Sequence, residues 1–531
     1  MDFSLHIYPT VPLILVLLYV LYVRSIVKWR ARSRGRPFPP GPPSLPLVGN
    51  MFNIPSDRAW VDFQELAAQY GDIIHFRILG TSTVVLGSPA IINEYLEKRA
   101  VNTSDRVQSP VFDMLGQHNN FALMPYGQQW RHYRRHFWQH FTSGAVEQYQ
   151  PVTRAATHQF LVRVLERPAQ LKDHIRCTFL ATVLKVVYGV GLTDDHDKYA
   201  AAFNVSAEGI AQGLVPGKYI VDLLPFLKYV PKWVPGFAWQ ADFERWRAAV
   251  HSVRNVPFAH TREAMARGEA LDSIIAKTLA VAGDDDEPES EREEMAKGIG
   301  LASYEAGADT SFIVLQSLFL ALSLHPHAQK KAQAELDAVV GPGRMPEFSD
   351  CKSLVYVNAV IKETLRWHTV VPLSVAHAVT ADDDLHGYFI PAGTVLLPNI
   401  WACMHDPAVY EDPYAFRPER FIRDGKLDPS IQDPLAFVFG FGRRVCPGRH
   451  FAEASLFIHA ASILHVFDIT PALDTNGHPI TIEHGQTPGF LSYPEDSRCT
   501  IKPRSAEAAA LVMAHAQGLR RNSGEDMEVP A

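Results

Sequence analysis

The spacing of hydrophobic positions changes several times along this chain, and each change marks an element. Residues 5–23 (LHIYPTVPLILVLLYVLYV) are apolar almost without interruption, and about 20 such residues cross the core of a bilayer as one helix. Residues 36–50 (RPFPPGPPSLPLVGN) hold six prolines and two glycines, which cannot continue a helix and form a stiff, extended connector. Further on, residues 311–340 and 355–367 repeat apolar side chains at helical spacing, whereas DIIHFRIL, TSTVVLG and GYFIPAGTVLLPN are short strand-like runs bounded by Gly or Pro. The pattern predicts a mainly α domain with small β-sheets over residues 47–504. A membrane anchor at 1–23 and a basic, proline-rich linker at 24–46 precede it. A poorly ordered tail at 505–531, at most a fraying helix, follows it. The charge run GDDDEPESEREE at 283–294 is predicted as a solvated loop between helices.

Charge sharpens the first of these elements. Arg24, Lys28, Arg30, Arg32, Arg34 and Arg36 follow the apolar run rather than precede it, and no small-x-small cleavage site is evident. The run is therefore expected to stay as a single-pass anchor with everything after Arg24 in the cytosol. The acceptor sequences at Asn102 and Asn204 are expected to carry no glycan in that topology. With 47% apolar residues the chain can bury a large core, and a net charge of −7 with no basic stripe excludes a nucleic-acid binder. Five scattered cysteines without a CxxC pair argue against a disulfide framework or a closed zinc site. No Gly-rich dinucleotide loop follows a strand, so electrons for any redox chemistry must come from a partner.

One cysteine stands apart. In FGFGRRVCPGRH, residues 439–450, Cys446 lies just before a helical run, where backbone N–H groups favour an anion. Gly440, Gly442 and Gly448 remove side chains around it, as a loop must if a flat, bulky group is to approach the backbone. Arg443 and Arg444 add positive charge. A protein-bound reactive thiol, or a metal pair with His450, remains an alternative at this point.

The stretch Phe439 to Gly448 resembles the cysteine-ligand loop FxxGxRxCxG of the cytochrome P450 family, with Phe439, Gly442, Arg444, Cys446 and Gly448 at the fixed positions. Four other segments carry the same resemblance: ExxR at Glu363 and Arg366, PYAFRPERF with Arg420, AGxDT from Ala306 to Thr310, and WxxxR from Trp130 to Arg134. His377 falls where many members place another propionate donor, although Val375 stands where they often have Pro two residues before it. The resemblance implies the cytochrome P450 fold after a transmembrane helix, and heme b (iron protoporphyrin IX) with Cys446 as axial thiolate. Arg444, Trp130, Arg134 and His377 would meet the propionates, and Phe439 and Gly448 would flank the ring. Glu363, Arg366 and Arg420 would form a structural triad, and Asp309 and Thr310 would deliver protons to dioxygen. A pocket lined by Phe121 and the segment 111–121, by Ala302 and Ala306, by Val371 and Leu373 in 370–375, and by Phe490 would take an apolar small molecule.

The implied partner is NADPH-cytochrome P450 reductase, docking on the basic face of Arg131, Arg134 and Arg135, with the enzyme on the endoplasmic reticulum membrane. The finer texture resembles fungal members of secondary metabolism, which suggests a terpenoid or polyketide substrate. Two rival activities are a haem-thiolate isomerase or dehydratase that needs no reductase, against which the Asp309–Thr310 pair speaks, and a non-catalytic haem-binding sensor.

Overall fold

The computed structural model describes residues 10–46, 48–191, 198–215, 217–280 and 288–522. The chain is mainly helical. Its principal helices are α1 (Thr10–Ser33), α2 (Ala59–Tyr70), α3 (Pro110–Leu115), α4 (Gln128–His140), α5 (Gln150–Glu166), α6 (Leu171–Tyr188), α7 (Lys198–Gly213), α8 (Gln240–Ala266), α9 (Glu289–Leu324), α10 (Pro326–Val339), α11 (Val355–Trp367), α12 (Arg449–Val466) and α13 (Ala506–Asn522). The main sheet has five strands: β1 (Ile73–Ile78), β2 (Thr81–Leu86), β3 (Asp105–Arg106), β4 (His377–Ala378) and β5 (Val395–Pro398), in the spatial order β1-β2-β5-β4-β3. Its register sets Arg106 opposite His377 and His377 opposite Leu396.

Helix α9 is the axis of the fold. It is apolar on all sides and long enough to cross a membrane, but 78% of its most apolar window is buried inside the protein, as befits a core helix. Ile299, Leu301, Ile313, Leu315 and Phe319 are fully enclosed among α6, α12 and their neighbours.

Four expectations need correction. The helical run over 311–340 is two helices, because Pro326 has no N–H to continue the ladder and starts α10 at its first turn. Of the charge run, 283–287 lies outside the described residues, and from Glu289 onward it is helix. Glu289 and Glu291 occupy the first turn of α9, where the helix dipole favours anions. The first part of the tail is ordered helix: Val512 on α13 is fully buried, and the His515 ring meets His158 of α5 at 5.0 Å. The basic residues Arg24, Lys28, Arg30 and Arg32 sit on α1, which runs unbroken to Ser33, so the connector begins ten residues later than the charges suggest.

That connector is bound rather than free. His75 N–H donates to Pro40 O at 2.8 Å, and Asn50 holds the Pro42 and Pro43 carbonyls with its amide while accepting from Arg77 N–H at 2.9 Å. A Cβ on Gly49 would lie 1.8 Å from Arg77 O, so only glycine lets the segment close onto β1.

Candidate functional site

The loop between a short helix at Leu435–Val438 and α12 carries Cys446. Its backbone is folded back on itself, with Cys446 N–H donating to Phe439 O at 2.7 Å and Arg444 N–H to Phe441 O at 3.0 Å. Gly440 and Gly442 have φ of +77° and +53°. At Gly442 a Cβ would also lie 2.5 Å from Leu96 O, so this glycine serves both the turn and the packing against residues 93–103. At Gly448 nothing lies within 4 Å of a Cβ, and residues 445–454 are only half-buried, so the loop borders open space on the Cys446 side. Gly442→Ala is expected to lose about 3 kcal/mol of stability, from the left-handed backbone and the clash together. Gly448→Ala is expected to lose far less. Denaturant midpoints of the two variants check this contrast.

The Cys446 thiol is pushed up by burial and pulled down by the Gly448 N–H, Arg134 and Arg449. Among the described residues no group of three His, Cys, Asp or Glu side chains is gathered, which leaves the zinc alternative with His450 without its further ligands, and no two cysteines form a disulfide.

Beside the loop lies a cluster of cations, two of them buried and Arg134 half-buried. Arg444 is wrapped by the carbonyls of Ser104 at 2.8 Å and Met124 at 2.8 Å, and its guanidinium sits 4.3 Å over the Trp130 ring. Arg134 donates to Val445 O, and Arg106 donates to Val375 O at 2.7 Å and Ala376 O at 2.8 Å. Burial lowers the Arg444 pKa to about 9 and that of Arg134 to about 10. Arg106 is held well below its ordinary value by burial and then by Arg444. The nearest acid, Asp105, spends one carboxylate oxygen on the backbone N–H groups of Arg106 and Tyr126. Among the described residues none of the three guanidiniums is ion-paired, a costly arrangement unless anions join it. Two propionates beside a half-buried thiol would satisfy it, so the residues present fit a haem.

Sequence reasoning missed Arg106. No local pattern marks it, and its place comes from pairing with His377 across the sheet. His377 is itself buried, with Nδ1–H donating to Thr103 O at 2.7 Å, and burial followed by Arg106 drives its pKa far down. Its one ring proton is thus committed to the backbone. A carboxylate at the other ring nitrogen would be met only by a doubly protonated ring. The docking face also changes, because Arg134 points inward and leaves Arg131 and Arg135 exposed.

Behind the loop, Glu363 and Arg366 on α11 are completely buried. Arg366 reaches both carboxylate oxygens at 2.8 and 2.9 Å and donates to the Met404, Pro413 and Ala415 carbonyls. Arg420 adds a third contact to Glu363 at 3.1 Å, and Arg417 N–H a fourth at 2.7 Å. Every lone pair and proton is used, which is the condition for a buried ion pair to hold.

On α9, Ala306 is exposed and Gly307, Thr310 and Ser311 are half-buried, although the helix on either side is enclosed, so this turn borders an internal cleft. Ala302, one turn earlier, is buried. Thr310 Oγ1 donates to Ala306 O at 2.7 Å. Asp309 is not solvated: it is buried, accepts from Tyr493 Oη at 2.5 Å and lies 3.7 Å from Arg176. Burial raises its pKa, and Tyr493 and then Arg176 oppose the rise. Neither Tyr493 nor Arg176 is marked by a local pattern, since each comes from a distant segment.

A cavity is lined by Arg106 of the cation cluster together with Phe112, Leu123, Leu214, Leu373 and Phe490. Val375 also borders it, while Val371 packs against the main core. Phe121 and Val111 lie elsewhere: Phe121 is buried against Phe137 at 5.1 Å, and Val111 packs in an outer cluster with Phe243 and Trp246.

The Cytochrome P450 family model matches residues 39–497. Among curated proteins, the chain is 37% identical over 483 residues to cytochrome P450 monooxygenase COX2 of Coprinopsis cinerea, covering 91% of this chain and 92% of that protein. It is 38% identical to cytochrome P450 monooxygenase 208 of Postia placenta, covering 94% and 96%. It is 34% identical to tryptamine 4-monooxygenase of Psilocybe cyanescens, covering 90% and 95%. This family binds haem through a cysteine thiolate. A match over most of the chain, together with a thiol loop that opens beside unpaired buried cations, leads to one conclusion: the chain belongs to the cytochrome P450 family and is an oxidoreductase of its monooxygenase class.

Proposed function

We infer that the protein uses two electrons from NADPH-cytochrome P450 reductase and dioxygen to insert one oxygen atom into an apolar small molecule, a terpenoid or polyketide of fungal secondary metabolism. The observation that carries this reading is the juxtaposition of Cys446, the unpaired cations Arg106, Arg134 and Arg444, and the opened turn of α9. In this reading the Cys446 thiolate would hold the haem iron. The three arginines would hold the propionates, Arg444 resting on Trp130, and Phe439 and Gly448 would lie beside the ring. When bound, haem supplies the redox centre that activates dioxygen, one oxygen entering the substrate and the other leaving as water with two protons. The chain's own part is to seat that group, exclude water and move protons. Asp309 is the proton-holding group, with Tyr493 Oη donating to it and Arg176 3.7 Å away, and Thr310 presents a hydroxyl at the cleft. The substrate enters along Phe112, Leu123, Leu373 and Phe490.

Asp309→Asn is expected to cut product formation about 100-fold with the haem spectrum unchanged. Tyr493→Phe removes a bond that lowers the Asp309 pKa, so Asp309 keeps its proton to higher pH. The alkaline limb of the rate profile that requires protonated Asp309 therefore moves upward. A limb that stays in place would remove Asp309 from the proton path.

The same reading takes α1 as a membrane anchor on the endoplasmic reticulum, the catalytic body facing the cytosol. Val16, Tyr19, Val20, Val23 and Val27 on that helix are exposed, a row of apolar side chains that a bilayer would cover. The decisive test is co-expression with the reductase and a substrate-binding spectral screen over terpenoid and polyketide scaffolds. Product that requires NADPH, reductase and dioxygen is expected. Turnover without them would favour a haem-thiolate isomerase or dehydratase.

A further inference from the structure

Glu305, four residues before Asp309 on α9, is a buried carboxylate with no cation beside it: among the described residues it takes part in no ion pair. Its charge is met by neutral donors alone. Gln117 Nε2 reaches both oxygens at 2.9 and 3.0 Å, Asn120 Nδ2 reaches one at 3.1 Å, and Ser206 Oγ reaches the other at 2.5 Å. These donors come from two further pieces of the fold. Gln117 and Asn120 belong to the loop after α3, braced by Asn120 Nδ2 donating to Gln117 Oε1 at 2.9 Å, and Ser206 is on α7. The loop walls the cavity through Leu123, beside Phe112 on α3, and the other piece reaches it through Leu214, just after α7. A single carboxylate thus holds both outer walls to the helix that carries Asp309 and Thr310.

We propose that Glu305 is a positioning residue that latches the loop at 116–124 and α7 onto α9, and so sets the rate at which substrate enters and leaves the cleft. The proposal rests on the reading of that cleft as the substrate site. Its chemistry gives the latch a direction. A carboxylate that opens to water keeps its ordinary pKa, whereas burial in the closed arrangement raises it to about 7 despite the three donors. The closed arrangement therefore binds a proton more tightly than the open one, and closing is favoured as pH falls through that range. Between pH 6 and pH 8 the open fraction should rise about tenfold. Other ionisable groups on the packed elements leave this sign unchanged. Tyr188 of α6 is a buried phenol whose pKa Glu305 itself helps to raise, Arg254 of α8 pairs with Glu294, Asp309 pairs with Tyr493 and Arg176, and His118 on the loop is exposed.

The test uses the full-length, haem-loaded protein with 4-phenylimidazole as the probe, its exchange followed by the Soret shift in stopped flow. Hydrogen–deuterium exchange over 116–124 and 205–214, corrected for intrinsic rates, is measured in parallel. In the wild type, probe release and loop exchange should both quicken about tenfold from pH 6 to pH 8. In Glu305→Gln, which cannot ionise, both should be flat with pH. Asn120→Ala and Ser206→Ala keep the carboxylate but each lose one donor, so both should exchange faster than wild type at every pH, which preserves the test if Glu305→Gln does not fold. Equal exchange in wild type and in all three variants would overturn the latch. A protein in which the probe never shifts the Soret band would instead overturn the haem-cleft reading, while loop exchange would still decide the latch.

Discussion

Cys446→Ala is expected to fold, to lose the red-shifted Soret band of the reduced carbon monoxide complex, and to show no measurable turnover. The fold should survive because the loop is held by its backbone. The bond from Cys446 N–H to Phe439 O and the Arg444 contacts to Ser104 and Met124 do not involve the thiol. The chemistry should not survive, because among the described residues Cys446 is the cysteine whose charge acts on the cation cluster, and the donor strength that favours O–O cleavage is a property of thiolate. Far-ultraviolet circular dichroism separates the two effects. A wild-type protein without the shifted band, or a variant that keeps it, would sink the assignment of Cys446.

Glu363→Ala should be the most destabilising single change considered. It strands the Arg366 guanidinium, fully enclosed and otherwise bonded only to carbonyls, and takes the anion from Arg420 as well. Breaking a buried pair in this way costs about 3–5 kcal/mol, a large part of the roughly 5–15 kcal/mol that holds a typical domain folded. The variant should accumulate poorly and unfold at lower denaturant. Arg420→Ala should cost less, because Arg366 still meets both oxygens of Glu363 and the outer side of Arg420 contacts the carbonyls of Glu411 and Asp412 near the surface. A Glu363→Ala midpoint equal to wild type would remove the triad from the stability of the fold.

What the sequence reveals about the site depends on how its parts are strung along the chain. The Cys446 loop, the Glu363–Arg366 pair and the Ala306–Thr310 turn are each a few contiguous residues, so pattern alone marks them. Arg106, Tyr493, Arg176 and the Glu305 network are single residues brought together by sheet pairing and helix packing, and nothing in their neighbours in sequence distinguishes them. Helix α11 keeps the bounds that its periodicity predicts, since no proline interrupts it. The run over 311–340 does not, because apolar spacing passes through Pro326 without a break while the backbone cannot. Pocket walls were the least legible, as Phe121 and Val111 show, because apolar spacing says that a side chain is buried but not against what.

The connector between α1 and the body has a mechanical meaning. Trp29 stacks on Phe38 at 5.0 Å and meets Phe389 edge-on at 5.2 Å, and Arg32 grips Asp382 through two nitrogens. With residues 40–50 sewn to β1 as well, the helix joins the catalytic body as a short rigid lever and not as a leash. Whatever fixes the azimuth and tilt of α1 therefore also aims the mouth of the cleft, and a flexible insertion at Gly35 joined to loss of the Trp29 and Arg32 contacts would uncouple the two without touching the catalytic machinery.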